Sequence, residues 1–121
     1  MSTIKESSTN HQNKQILQTE CPVAFTMEKI GGRWKPLILY NLRNGALRYG
    51  QLKKCIPAIT EKMLVQHLRE LEADNLVCRD VKPVVPPHVE YSLTESGQTL
   101  GPILNAMAEW GFQQTGRSRQ S

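Results

Sequence analysis

The stretch ITEKMLVQHLRELEADN, residues 59–75, decides how this chain is read. Thr60 suits an N-cap, Glu61 complements the positive end of a helix dipole, and Ile59 can staple to Leu64 across the cap. The spacing predicts a helix from Thr60 to about Asp74, closed by Asn75. At about 100° of rotation per residue, Leu64, Leu68 and Leu71 form one apolar stripe, while Lys62, Gln66, Arg69 and Ala73 fall on the opposite side. One face packs; the other, carrying two cations and an amide, looks outward.

Upstream, CPVAFTMEKIGG (residues 21–32) repeats Val23, Met27 and Ile30 at helical spacing, with Pro22 in a first helical position and Gly31 and Gly32 as a stop. Trp34 to Leu42 predicts a second helix, with Pro36 in its opening turn and Asn44 and Gly45 behind it. Ala46 to Tyr49 is too short to assign, and Gly50 to Cys55 reads as a short helix terminated by Pro57. Downstream, Leu76 to Lys82 and His88 to Leu93 are rich in β-branched and aromatic residues and pair as a hairpin. Pro83, Pro86 and Pro87 stiffen its connection. Thr94 caps a last helix whose Leu100, Ile103 or Leu104, Met107 and Trp110 make an a/d-like seam ending near Gly111. That seam serves either a second chain or the chain's own core. Residues 1–19 read as a flexible N-terminal arm, residues 20–112 as one domain, and residues 113–121 as a flexible tail.

Composition narrows the class. A length of 121 residues allows one core, and 39% hydrophobic with 21% charged residues fits a globular chain rather than a disordered or collagen-like one. Leu37 to Tyr40, the longest apolar stretch, falls far short of the roughly 20 residues that span a bilayer. The polar start lacks the basic and apolar regions of a secretory signal, so the expected location is the cytoplasm, with no membrane partner. The net charge of +4 matters less than its distribution. Lys29, Arg33, Lys35, Arg43, Arg48, Lys53 and Lys54 lie between residues 29 and 60 with no acid among them, whereas residues 61–109 hold eight acids against four bases. A basic block in an acid-leaning domain suits a phosphate-contacting surface; charge alone also allows an ordinary solvated face.

Taken in order, helix, helix, short helix, outward-facing polar helix, hairpin and helix make a winged helix-turn-helix, mainly α with a small β-hairpin (α+β). In that architecture the helix in third place after the leading one, here the outward-facing polar helix, enters the major groove of double-stranded DNA, and its exposed side chains meet base edges. Lys62, Gln66 and Arg69 occupy that face: Arg or Lys donates to guanine, and Gln bonds adenine in a bidentate way. Thr60, Arg48, Lys53 and Lys54 are better placed for phosphates, and Lys82 and His88, flanking the prolines, for the neighbouring backbone or minor groove.

Three blocks carry a family resemblance: CPVAFTMEKIGGRWKPLILYNLRNG, then RYGQLKKCIPAITEKMLVQHLRELEADNLVCR, then PVVPPHVEYSLTESG. In this order, across residues 21–111, they resemble the HxlR-type winged-helix transcriptional regulators. The resemblance implies a MarR-like homodimer, built by the first and last helices, on a pseudo-palindromic operator. Leu100, Leu104, Met107 and Trp110 would then line the dimer seam. It also implies thiol sensing at the Cys-Pro position, here Cys21, because several relatives respond to oxidants or electrophiles. A helix N-terminus favours a thiolate, and adjacent Glu20 opposes it. A small packed residue with no switching role is the other reading of Cys21.

Cys55 beside Lys53 and Lys54 is a weaker thiol candidate, Cys78 in its strand reads as packing, and a disulfide from Cys21 to a partner's Cys55 is conceivable. Three cysteines without a C-x-x-C pair suggest neither a disulfide framework nor a zinc ribbon. His11, His67 and His88 fall on the arm, a helix and the wing, with no metal-ligand spacing, and no phosphate loop or nucleophile motif is present. An enzyme is not expected, nor a cofactor. A small-molecule effector between the core and the last helix, lined by Trp34 and Trp110, and a protein-interaction module stay open as alternatives.

Overall fold

A computed structural model describes residues 21–117. The expected arm and the last four residues of the expected tail lie outside the described residues. The chain divides into two units after Gly32.

In the first unit, helix α1 spans Pro22–Ile30. Pro22 fits the opening turn because its missing N–H would find no helical partner there, and extended Cys21 precedes it as N-cap (φ −141°, ψ 95°). The Cys21 carbonyl accepts from Phe25 N–H at 3.1 Å, and Gly31 N–H closes the helix on Met27 O at 2.7 Å.

The second unit begins at Arg33 and runs α2 (Lys35–Asn41), β1 (Leu47–Arg48), α3 (Tyr49–Cys55), α4 (Glu61–Ala73), β2 (Val77–Lys82), β3 (His88–Leu93), α5 (Glu95–Gln98) and α6 (Gly101–Thr115). Its core draws on every layer: Ile38 and Leu39 from α2, Leu52 from α3, Leu64, Leu68 and Leu71 from α4, Tyr91 from β3 and Leu104 from α6 are buried. The apolar stripe of α4 is thus inside, as its period requires.

Both ends of α4 are fixed by local chemistry. Thr60 Oγ1 accepts from Met63 N–H at 3.1 Å. Ile59 and Leu64 are both buried, as a staple across that cap requires. At the other end Asn75 takes a left-handed conformation (φ 59°). Asn75 N–H then bonds Glu72 O at 2.9 Å and Leu76 N–H bonds Leu71 O at 2.9 Å, a Schellman closure that turns the chain straight into β2.

The sheet holds one strand more than expected. Its order is β1-β3-β2. Leu47 pairs with Tyr91 and Arg48 with Glu90, while β2 and β3 pair from Val77 with Leu93 to Lys82 with His88, all antiparallel. A two-residue strand carries too little alternation to be read from sequence. The tip between β2 and β3 holds a cis Val85–Pro86 bond.

The last helix also differs from expectation. Thr94 is the cap, its Oγ1 accepting from Gly97 N–H at 2.9 Å, but the helix divides into α5 and α6 between Gln98 and Gly101. Pro102 is the cause, since it has no N–H for the Gln98 carbonyl and its ring would crowd that oxygen. Gly97 is buried, and a Cβ there would strike the Leu76 carbonyl. Further along, α6 passes Gly111, where the seam was expected to end, and stops at Gly116, whose φ of 70° is the left-handed cap.

Candidate nucleic-acid interface

Helix α4 stands third among the helices of the second unit, and its outer face is open. Lys62, Gln66 and Arg69, at i, i+4 and i+7, are all exposed and line one shallow groove together with Glu61, Val65 and Glu70. The inward leucines hold this face in place, because a register change of α4 would take buried Leu64, Leu68 and Leu71 out of the core.

The groove contains a partner that sequence reading did not single out. Gln66 Nε2 donates to Glu70 Oε2 at 3.3 Å. The other carboxylate oxygen, Oε1, lies 2.7 Å from Lys35 Nζ, reaching across from α2, and 3.6 Å from His67 Nδ1. The bond from Lys35, helped by Gln66, holds the Glu70 carboxyl below the usual range. The i, i+4 spacing of Gln66 and Glu70 was a readable signal; the contact with Lys35 depends on tertiary packing and was not.

The basic block does not act as one surface. The Lys35 side chain is only 13% exposed and is committed to Glu70. Arg43 lies over the Tyr40 ring, 3.7 Å from its centroid, and its Nη1 donates to Tyr40 O at 2.8 Å. Arg48 and Lys54 are exposed, whereas Lys53 Nζ donates to Pro57 O at 3.3 Å. Arg48 precedes α3, and its backbone N–H donates to Gln51 Oε1 at 2.8 Å, which fixes that helix start. Thr60 uses an oxygen lone pair for its cap, and its O–H can still donate to an anion.

On the wing, Lys82 and His88 are cross-strand partners, but each is turned to an acid. Lys82 Nζ lies 2.8 Å from Asp80 Oδ2 and 4.0 Å from Glu90 Oε1, and His88 Nε2 lies 3.1 Å from Glu90 Oε2. Asp80 and Glu90 were not singled out in the sequence, although alternation places all four side chains on one face of the hairpin.

The seam of α6 splits. Leu104 is buried and belongs to the unit's own core, and Leu100 is half-buried. Ile103, Met107 and Trp110 are 45%, 51% and 65% exposed, in a row at i, i+4 and i+7. Neither Trp34 nor Trp110 lines the groove of about 490 Å³ between α2 and α6; Leu37, Tyr40, Arg43, Leu104, Met107 and Phe112 are among the residues that do.

Cys21 is half-buried at the start of α1, in the first unit. Cys55, the last residue of α3, is exposed. Cys78 is exposed as well, which corrects its reading as a packing residue. It pairs with Ser92, one residue beyond buried Val77 and therefore on the opposite, outer face of the sheet. Among the described residues, no helix is long and apolar enough to cross a membrane.

Comparison with known proteins agrees with this geometry. A family model described as HxlR-like helix-turn-helix matches residues 29–119. The HTH-type transcriptional regulator YybR of Bacillus subtilis (strain 168) is 52% identical over 91 residues, 75% of this chain and 73% of YybR. The structure of the redox regulator HypR in its oxidized form superposes with a TM-score of 0.74 at 49% identity, covering 81% of this chain and 99% of that one. A MarR-family transcriptional regulator from Porphyromonas gingivalis W83 also gives a TM-score of 0.74, at 36% identity over 91% of this chain and 96% of its own.

Proposed function

The chain belongs to the HxlR-like helix-turn-helix family of DNA-binding transcriptional regulators, and we propose that it acts as a homodimer on a pseudo-palindromic operator, read by α4. The observation that carries this reading is the exposed line of Lys62, Gln66 and Arg69 on a helix whose other face is core. Arg69 and Lys62 supply donors for guanine, and Gln66 supplies one donor and one acceptor for adenine. Arg48, Lys53, Lys54 and the O–H of Thr60 anchor the phosphates beside that helix, and Lys82 and His88 bring the wing to the adjacent backbone. The exposed Ile103, Met107 and Trp110 form the partner-facing stripe, with Leu100 at its edge and Leu104 behind it. A chromosomal operator places the protein in the cytoplasm.

Cys21 is the proposed switch. Its place at the head of α1, together with the similarity to HypR, which is described as a redox regulator, supports an oxidant-responsive thiol whose modification alters operator affinity. A small-molecule effector in the groove between α2 and α6 is the second reading, supported by that groove's apolar lining and its Arg43.

Capture of genomic fragments by the purified protein, under reducing buffer and after a mild thiol oxidant, tests both levels. Discrete fragments whose affinity falls steeply with salt support DNA reading. Loss of those fragments on oxidation, abolished in Cys21→Ser, supports the switch. Equal capture of all fragments removes sequence-specific reading, and identical fragments in both buffers remove the thiol switch and leave the effector reading.

A further inference from the structure

The outer face of α4 holds a side-chain relay that nothing in the base-reading scheme requires. Gln66 Nε2 donates to Glu70 Oε2 at 3.3 Å, and Glu70 Oε1 is held by Lys35 Nζ at 2.7 Å. A carboxylate only accepts hydrogen bonds, so it must face the amide nitrogen of Gln66; the turned-over amide would place oxygen against oxygen. Lys35 comes from a different helix and is 13% exposed, so packing beneath α4 sets where the carboxylate sits. The pairing favours the ionised form of Glu70, which at neutral pH can only accept.

We propose that Glu70 is a positioning residue for base readout, fixing the Gln66 amide so that α4 prefers an adenine edge. This rests on the reading of Gln66 as a base-contacting residue. Adenine offers an N6–H donor beside the N7 acceptor, whereas guanine offers two acceptors, O6 and N7. A Gln amide with one N–H committed to Glu70 presents its oxygen and its second N–H in one fixed arrangement, which matches adenine. An amide free to turn over can aim its two N–H groups at the guanine acceptors as well. Glu70 makes this choice without touching the base.

The test is selection from a randomised duplex library by the full-length protein, followed by titration of the selected duplexes. It uses wild type, Gln66→Ala, Glu70→Ala, Glu70→Gln and the Gln66→Ala/Glu70→Ala pair. At the base pair whose preference Gln66→Ala abolishes, Glu70→Ala lowers adenine-over-guanine discrimination by about tenfold, the range of one bidentate base contact. The double variant loses no more than Gln66→Ala alone. Glu70→Gln has one carbonyl oxygen in place of two carboxylate oxygens; the donor-only Lys35 takes it, so the amide N–H₂ turns toward Gln66 and discrimination falls as far as in Glu70→Ala although the side chain keeps its size. Total affinity of Glu70→Ala stays equal or rises, because a negative charge leaves the phosphate-facing side. A merely structural role predicts the opposite, a uniform loss over all sequences together with a lowered melting temperature, and that result overturns the proposal. So does full discrimination in Glu70→Ala where Gln66→Ala has lost it. If Gln66→Ala changes preference at no base pair, Gln66 is not a reader and the positioning role falls with it.

Discussion

Asp80 and Glu90 stand directly opposite each other across β2 and β3. Like charges in that position repel, and the next cross-strand pair on the same face, Lys82 and His88, supplies the compensation. Lys82 Nζ approaches Asp80 Oδ2 to 2.8 Å, and His88 Nε2 approaches Glu90 Oε2 to 3.1 Å. Lys82 and the His88 ring are therefore both engaged by the wing's own carboxylates. Asp80→Asn should free Lys82 to neutralise a phosphate, raising DNA affinity and steepening the slope of log affinity against log salt by about one. Anisotropy titrations at several salt concentrations measure this; an unchanged slope would take the wing off the DNA.

The same pair has an alkaline signature. Hydrogen bonding to Asp80 raises the Lys82 ammonium above its ordinary 10.5. What the pair contributes to folding is therefore fully present below about pH 10.5 and is lost as pH rises through the raised value. Wild type should therefore melt slightly above Lys82→Met by a margin that is constant near neutral pH, and the two should converge only at alkaline pH as Lys82 loses its proton; a margin that persists there would mean that the pair is not its source.

Glu70 carries the opposite sign. Lys35 lowers its pKa from the ordinary 4.5, so its contribution is present above that value and disappears as pH falls through the lowered one. Its side chain is 43% exposed, and solvent screening limits the pair to about 1 kcal/mol or less. Urea midpoints taken from neutral pH down to strongly acidic pH should converge for wild type and Glu70→Gln once Glu70 is protonated. A constant gap over the whole range would mean that the bond to Lys35 is not what stabilises α4.

Some of this was legible in the sequence, and the reason differs from residue to residue. The period of Leu64, Leu68 and Leu71 fixed which face of α4 is buried, and Thr60 marked its start, because both signals are local. β1 escaped notice because Leu47 and Arg48 become a strand only by pairing with Tyr91 and Glu90, far along the chain. The seam of α6 was visible as a repeat, but a repeat does not say which residues face inward. Leu104 is buried while Met107 and Trp110 are not, and that division follows from how α6 lies on α2. Charge counting grouped Lys35 and Arg43 with the phosphate contacts; packing against Glu70 and Tyr40 reassigned them.

Thr60 is asked to do two things, cap α4 and meet a phosphate, and one substitution separates them. Thr60→Ala removes the bond to Met63 N–H and should cost about 1 kcal/mol of stability. Thr60→Asp restores the cap and favours the helix dipole, so its urea midpoint should return to that of wild type. If the hydroxyl lies against a phosphate, the new carboxylate repels it, and DNA affinity should fall by about tenfold or more while stability recovers. Recovery of both would confine Thr60 to capping.

Trp110 and Leu104 share one helix and test whether α6 joins two chains. Leu104 is 2% exposed, so Leu104→Ala should cost about 2–5 kcal/mol and lower the melting temperature of the chain itself. Trp110 is 65% exposed, and removing it takes nothing from that core. Trp110→Glu places a charge in the apolar stripe it forms with Ile103 and Met107, and should convert a dimer to a monomer in sedimentation equilibrium. Binding to a single half-site should persist, because α4 is unchanged. Binding to the full operator should weaken by about a hundredfold or more, since two linked reading helices gain from effective concentration and two separate ones do not. A wild-type chain that sediments as a monomer, or a Trp110→Glu chain that remains dimeric, would move the interface away from this face of α6.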